Sequence, residues 1–290
     1  MRNYWLLLKQ DRVACVALVY LLVLVVIAII GPAFVDPSLN RMQLTARHAA
    51  PFHLNRSWVY FLGADALGRP MIVRLVLAAR TTIMIAAAAV LMAMVTGTFI
   101  GLIAGLRENL LSAALMRGID VLLSIPSLLL AMVVLFVLGA HIGNVILILT
   151  ITRLAVFART VRGESLELRE RWFVAAARTM GAGDIHVLRR HIVPLVMPTV
   201  LAIAALEFAV IMLAESALSF LGIGVQPPDA TWGLLVAEGQ PYLKTAWWVS
   251  LWPGLAIASM AVSATIVGNW FRIANDPTLR VRLTPREVTA

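Results

Sequence analysis

The chain has 290 residues, 61% of them hydrophobic, and a formal net charge of +9. Its mean hydropathy of +0.91 excludes an ordinary soluble protein, because a chain of this length cannot hide so much apolar surface without a bilayer. The excess of arginine indicates basic cytoplasmic loops rather than a surface for nucleic acid, since no soluble domain that could display such a surface is visible. The single Cys15 lies in an apolar run, so it indicates neither an internal disulfide nor a compartment.

Six segments are apolar and long enough to cross a membrane. Residues 13–31 form the first, which follows Arg2, Lys9 and Arg12 and lacks a small-residue cleavage site, so we expect it to be retained. Residues 81–106 form the second, whose small residues favour close helix packing in lipid. The third begins near residue 113 and bends at Pro126, and the others cover 144–161, 192–221 and 247–271.

The connecting segments also carry membrane signals. Residues 69–80 alternate three arginines with apolar residues, which predicts an interfacial amphipathic helix, the start of the second span, or both. Residues 222–246 are rich in Gly, Pro and Trp and form an external loop, and the tryptophans at 247, 248 and 252 indicate an interfacial belt. The sequence thus divides into a first helix with its external loop (1–80), a five-helix core (81–272) and a cytoplasmic tail (273–290).

Arginine and lysine counts set the orientation. With the amino terminus inside, the inner loops carry more than twice as many basic residues as the outer loops. Both termini are therefore predicted to be cytoplasmic. The same orientation places the polar segment 159–194 inside.

That polar segment lies between two apolar runs and contains the small-residue block Ala175, Ala176 and Ala177. Gly181, Gly183 and Asp184 predict a helix stop and a new N-cap, so we expect two short helices outside the bilayer core within residues 163–190. A helix face without bulky side chains allows a partner to approach the backbone closely. The alternative is an ordinary cytoplasmic loop.

Enzymatic signatures are missing from the sequence. Neither lysine follows a glycine, so the chain does not bind ATP through a Walker loop. The five histidines lack a metal-ligand spacing, and no serine lies in a Gly-x-Ser-x-Gly elbow. We therefore predict no catalytic, cofactor or metal site in this chain.

Three charged residues fall at membrane depth: Arg153, Glu207 and Glu215. Charges in a bilayer are costly and usually face a partner or a water-filled path. Glu207, Ile211 and Glu215 share one helix face, so they predict a lined pathway with Arg153 as a partner. The alternatives are a pairing at a subunit interface and an Arg153 side chain that reaches toward the inner surface.

Several stretches resemble one protein family. Val174 to Ala177, with Gly181 and the later Ile192-Val193-Pro194, resembles the "EAA" cytoplasmic signature of binding-protein-dependent ABC importer permeases. Residues 62–69, LGADALGR, look like the family element "LGTDxLGRD", and residues 213–228, LAESALSFLGIGVQPP, are similar to the hallmark of its peptide and nickel branch. Residues 229–233 and Asp276-Pro277 extend the resemblance, which covers about 62–280. Three residues depart from these family motifs, namely Ala64, Pro70 and Ala175. Ala175 stands where the signature has Glu.

The resemblance, which is closest to the DppC/OppC type, implies an all-α fold of six membrane helices, the type I (MetI-like) importer fold, in a bacterial or archaeal inner membrane. It implies a non-catalytic subunit that works with two ATP-binding subunits, which carry ATP and Mg²⁺, and with an external substrate-binding protein. It also implies a second permease, with a heterodimer of homologous chains favoured and a homodimer as the alternative. Peptides are the first substrate and nickel or a metal chelate the second. The alternative from another functional class is an ion-coupled secondary transporter. A membrane enzyme has no supporting motif in the sequence.

The resemblance also assigns roles to particular residues. The residues that it places in contact with the ATPase are Arg171, Val174, Ala175, Ala176, Ala177, Arg178, Gly181, Ala182, Asp184 and Pro194. Those facing the external receptor are Gln226, Pro227, Pro228 and Trp232.

Overall fold

The computed structural model describes residues 7–52, 57–107 and 109–275. These residues are largely helical, and the extended backbone among them forms only an isolated antiparallel bridge between Ala64 and Pro70. The predicted tail beyond residue 275, including Asp276-Pro277, lies outside the described residues. So do several arginines that set the predicted orientation, namely Arg2, Arg56, Arg280, Arg282 and Arg286.

Ten α-helices of the described chain follow a short helical stretch at 7–10. They are α1 (Arg12–Phe34), α2 (Met71–Leu106), α3 (Leu110–Ser124), α4 (Ser127–Leu138), α5 (Ile142–Arg169), α6 (Trp172–Thr179), α7 (Asp184–Val187), α8 (Val193–Phe220), α9 (Trp232–Gly239) and α10 (Trp248–Asn275). Short 3₁₀ turns lie at Pro37–Asn40, Leu44–Ala46, Trp58–Tyr60 and Gln240–Tyr242.

Within the described residues, five continuous helical segments are long and apolar enough to cross a membrane, and α3 with α4 makes a sixth if that bent pair is counted as one span. The pair turns by 91° at the predicted position. Ile125 is extended there because the ring of Pro126 disfavours a helical conformation in the preceding residue. The all-α class and the membrane-spanning architecture are therefore confirmed. The bend in the third span is sharper than the sequence indicated.

The structure changes three predicted boundaries. α2 is continuous from Met71 to Leu106, so the predicted amphipathic stretch 69–80 is the start of the second helix and not a separate helix. α5 continues to Arg169, so the first residues of the predicted cytoplasmic helices belong to the fourth span. α7 runs through a π-helical turn at Leu188–Ile192 into α8, making Asp184–Phe220 one continuous helix rather than a loop helix followed by a span.

The centre of the bundle is the contact between α2 and α5. Gly97, Gly101 and Gly105 recur every fourth residue on α2, and a methyl group added at Gly101 would lie 2.6 Å from the carbonyl oxygen of Ala158 on α5. Such small residues allow two backbones to approach closely in lipid. The predicted role of the small residues of this span is confirmed.

Candidate functional site

The end of the bundle that is predicted to be cytoplasmic carries a helical elbow, formed by α6, residues 180–183 and α7. Val174 and Ala177 of α6 are buried and anchor the elbow, with Val174 packed in an apolar cluster that also contains Val187, Ile192 and Val196. The anchors lie three residues apart, which is the helical spacing for one face. α6 is a separate short helix, as predicted, but the second predicted short helix is wrong because α7 is the start of the continuous helix 184–220. One face of α6 is fixed to the spans.

The other face of the elbow exposes apolar side chains. Ala175 and Ala176 are exposed, and Trp172, Met180 and Ile185 are 91%, 82% and 70% exposed. Sequence reasoning missed these three larger residues, although apolar residues within a strongly charged segment were a visible signal. Large exposed apolar residues beside charged ones are typical of a contact site for another protein or for the membrane surface.

The turn between α6 and α7 is a Schellman motif. Gly181 has φ +89°, and the amide of Ala182 donates to the carbonyl of Ala177 at 3.0 Å while the amide of Gly181 donates to Arg178. Gly181 is thus the predicted helix stop. The predicted N-cap is wrong in one respect, because Gly183 occupies that position and the side chain of Asp184 does not cap the helix.

Asp184 instead ties the elbow to the end of α2. Its Oδ2 accepts a hydrogen bond from Nε of Arg107 at 2.7 Å, and Oδ1 lies 3.5 Å from Nη2 of Arg178. Arg171 pairs with Glu167 one turn earlier, at 2.6 Å. Ala182 is half-buried against the apolar cluster that contains Val174. Pro194 is exposed in the first turn of α8.

An open cleft of about 430 Å³ lies beside the elbow. Its walls are Phe173, Ala177, residues 180–183, His186 and His191. The cleft therefore adjoins the exposed apolar side chains, and together they give an indented surface rather than a flat one.

Arg153 and Glu207 form an ion pair at membrane depth. Nε of Arg153 lies 3.9 Å from Oε2 of Glu207, and Nη2 of Arg153 donates to the hydroxyl of Ser127 at 3.3 Å. The pair joins α5, α8 and the first turn of α4, immediately after the sharp bend. The expected partnership of Arg153 is therefore found with Glu207.

Glu215 does not join that pair. It is fully buried near the outer end of α8, where the hydroxyl of Ser219 donates to Oε1 at 2.8 Å and Ser216 lies 3.4 Å from Oε2. Glu215 is therefore enclosed by hydroxyl groups, and its predicted place beside Arg153 in a lined pathway is wrong.

The residues predicted to face the receptor, in the loop 222–246, differ in their exposure. Gln226, Pro227 and Pro228 are exposed, whereas Trp232 is 2% exposed. The Trp232 indole donates to the carbonyl of Leu75 and its amide donates to Thr82. Trp232 therefore anchors α9 on α2, and its assignment to the receptor-facing surface is wrong.

The motif LGADALGR contributes a buried ion cluster on the outer side, which we call the outer ion cluster and which consists of Asp65, Arg69, Arg74 and Glu238. Asp65 accepts from Arg69 at 2.7 Å and from Arg74 at 3.0 Å, and Arg74 also contacts Glu238 of α9. Two tryptophans of α10 complete the attachment, with Trp248 donating to Ala64 and Trp252 to Leu62. The acidic residue of the motif was visible in the sequence, but its partners were not.

These features define a multi-pass helical membrane protein with an elbow, at the end predicted to be cytoplasmic, whose second helix is continuous with one of the spans. The chain belongs to the family described as the binding-protein-dependent transport system inner membrane component, whose sequence profile matches residues 97–281. The profile of the N-terminal transmembrane domain of oligopeptide transport permease C matches residues 1–51. It is therefore a permease subunit of the inner membrane.

Three curated relatives illustrate the match. A putative peptide transport system permease protein of Brucella suis is 35% identical over 94% of this chain and 90% of its own length. The di/tripeptide transport system permease protein DppC of Pseudomonas aeruginosa is 32% identical over 97% of this chain and 93% of its own. The glutathione transport system permease protein GsiD of Pectobacterium atrosepticum is 31% identical over 96% and 91%.

Proposed function

We propose that this chain is the permease subunit of an ATP-driven importer that carries peptides inward, and that separate ATP-binding subunits dock on its elbow. The observation that carries the docking proposal is the two-sidedness of α6: Val174 and Ala177 are buried in the bundle, whereas Ala175, Ala176 and Trp172 are open to a partner. The names of the relatives support peptides as the substrate class.

Force applied at the elbow has a direct route into the membrane. Because residues 184–220 form one continuous helix, a displacement of α7 moves α8 as well. The Arg107–Asp184 ion pair adds a second connection, from the elbow to α2. Rocking of such rigid elements between two arrangements gives alternating access, provided that ATP and the loaded receptor favour different arrangements.

The docking surface relies on shape. Ala175 stands where the family signature has an acidic residue, so an ion pair from that position to the ATPase is missing. Exposed Arg171 and Arg178 flank the alanines and supply charge. We infer that apolar contact by Trp172, Ala176 and Met180 provides most of the contact, with Gly181 and the cleft giving it specificity.

The partners follow from this arrangement. One elbow serves one ATP-binding subunit, so two such subunits require a second, homologous permease, and we propose a heterodimer. ATP and Mg²⁺ would be held by the partners, and this chain would be non-catalytic. The external substrate-binding protein would contact the exposed loop at Gln226, Pro227 and Pro228.

The alternatives have less support. The relatives described above carry peptide names, which favours peptides over nickel or a metal chelate. An ion-coupled secondary transporter would need titratable groups along a path, yet Arg153 pairs with Glu207 and Glu215 is enclosed.

Two matched substitutions test the proposal. Ala176→Glu places a charge on the exposed elbow, and Ala50→Glu makes the same change at an exposed position of the external loop. We expect Ala176→Glu to reduce both co-purification of the ATP-binding subunits and uptake of a labelled dipeptide, and Ala50→Glu to preserve subunit co-purification. Unchanged subunit binding in Ala176→Glu, or uptake into proteoliposomes without any ATPase, would refute the proposal.

A further inference from the structure

A groove of about 530 Å³ lies between the first and last membrane helices. Its α1 wall is formed by Arg12, Val13, Val16, Ala17 and Tyr20. Its α10 wall is formed by Ser259, Val262, Ser263 and Ile266. The volume falls within the usual range for ligand sites, about 300–1,000 Å³.

The groove accepts hydrocarbon rather than a polar molecule. The Tyr20 hydroxyl and Ser259 Oγ are 2.6 Å apart and hydrogen-bonded to each other, and Ser259 also donates to the carbonyl of Leu255 at 2.6 Å. These two hydroxyls are thus already paired within the protein, and apart from Arg12 and Ser263 the rest of the wall is aliphatic. Val16 and Val262 are 69% and 58% exposed, so the walls are open to the surrounding membrane.

The length of the groove matches one leaflet. Arg12 and Tyr20 are separated by eight residues of α1, or about 12 Å at 1.5 Å per residue. Half of a hydrocarbon core of about 30 Å is about 15 Å. A helix of a neighbouring subunit would cross both leaflets, whereas an acyl chain spans one leaflet, which matches the distance from Arg12 to Tyr20 along the groove.

The membrane-surface end of the groove is cationic. Arg12 begins α1 directly after Asp11, whose side chain accepts from the Ala14 amide and caps the helix. Arg12 is exposed, and among the residues that the structure describes it forms no ion pair. An arginine at the end of an apolar groove complements a phosphate headgroup.

We infer that this groove binds an anionic phospholipid, with one acyl chain between α1 and α10 and the headgroup phosphate at Arg12. In the proposed orientation the lipid belongs to the cytoplasmic leaflet. Bound there, the lipid fills the gap between α1 and the last helix and fastens α1 to the core. The inference does not depend on the substrate that the transporter carries.

Native mass spectrometry of the full chain, purified with its associated subunits, tests the site. The probes are dioleoyl phosphatidylglycerol and dioleoyl phosphatidylcholine, which differ in headgroup charge but share their acyl chains. Val16→Trp fills the groove, and Val19→Trp is the matched control because Val19 is exposed on α1 but outside the groove. Arg12→Gln removes the charge.

We expect Val16→Trp to lose a bound lipid that Val19→Trp retains. Arg12→Gln should lower the preference for phosphatidylglycerol over phosphatidylcholine by about fivefold, since one arginine near an anionic headgroup contributes that order of affinity. Equal lipid retention in Val16→Trp and Val19→Trp, or an unchanged preference in Arg12→Gln, would overturn the inference.

A photo-crosslinking residue in place of Val262 distinguishes lipid from protein in the groove. Adducts with phospholipid support the inference. Adducts with a second permease would show instead that the groove is a subunit interface and would overturn it, while leaving the transport proposal intact.

Discussion

Arg74 and Asp65 meet at 3.0 Å between Nη1 and Oδ2, with only 5% and 3% of their side chains exposed. Arg74 lies on α2, Asp65 lies in the external loop, and Glu238 joins them from α9, 164 residues further along the chain than Arg74. The outer ion cluster therefore fastens three parts of the chain that the sequence separates.

Breaking this cluster should destabilise the outer side of the protein. In Arg74→Met, Asp65 and Glu238 lose one of their two cations and keep Arg69. Removing one partner from a buried ion pair typically costs about 3–5 kcal/mol, and the remaining Arg69 offsets part of that cost. We expect a clearly lower melting temperature of the purified protein in detergent. Arg41→Met, at an exposed position of the same external segment, is the control and should melt with the wild type. Equal melting of both variants would show that the cluster contributes little.

The Arg153–Glu207 pair permits a double-mutant test. Arg153→Met leaves Glu207 without a cation at membrane depth, and Glu207→Met leaves Arg153 without its anion. Since neutralising both removes the unpaired charge, we expect each single variant to be less thermostable than the double variant. Arg159→Met breaks an exposed pair with Asp120 and should have little effect. Additive losses in the double variant would contradict a direct coupling between Arg153 and Glu207.

The contact between α2 and α5 should not tolerate an added methyl group. At Gly101 the new carbon would lie 2.6 Å from the Ala158 carbonyl, so one backbone must move, and overpacking typically costs about 1–3 kcal/mol. At Gly163 on α5 nothing lies within 4 Å, and alanine is the better helix former. We expect Gly101→Ala to lower and Gly163→Ala to maintain or raise the melting temperature. The reverse order would contradict the close approach.

Local patterns in the sequence predicted the helical class, the bend at Pro126 and the position of the elbow, because hydropathy, proline and glycine act over a few residues. They did not predict that Trp232 is buried, since its environment comes from Leu75 and Thr82 of α2. Because Trp232 lies in a loop predicted to be external and rich in Gly, Pro and Trp, the sequence indicated an exposed side chain. The same limit explains why Arg74 was assigned to an interfacial helix, as its partner Glu238 is brought to it only by the fold.

The loop between α1 and α2, which contains His48, should open more readily as the pH falls. Burial, followed by the charge of Arg47, lowers the pKa of His48 below its ordinary value of 6.5, although Asp65 acts in the opposite sense. The unfolded loop therefore binds a proton more readily than the folded loop, so stability is lost as the pH falls below about 6.5 toward the folded pKa. Hydrogen exchange of this loop at pH 7.5 and 5, corrected for intrinsic rates, should show faster opening at pH 5.

His48→Asn supplies the control for this pH dependence. His48 has φ +50°, a conformation that asparagine tolerates, and the new side chain does not titrate in this range. The difference in opening between the two pH values should shrink in this variant. An equal difference in both proteins would assign the effect to another group.

Gly181 allows backbone strain to be separated from docking shape. Its φ of +89° costs other residues about 1–2 kcal/mol, less for asparagine, yet nothing lies within 4 Å of an added Cβ. We therefore expect Gly181→Asn to retain most of the bound ATP-binding subunit and Gly181→Val to lose more, with the chain itself folded in both. If asparagine and valine reduced co-purification equally, the space beside Gly181 would have to be occupied by a partner surface. The glycine would then be needed because no side chain fits there, and not because of its backbone conformation.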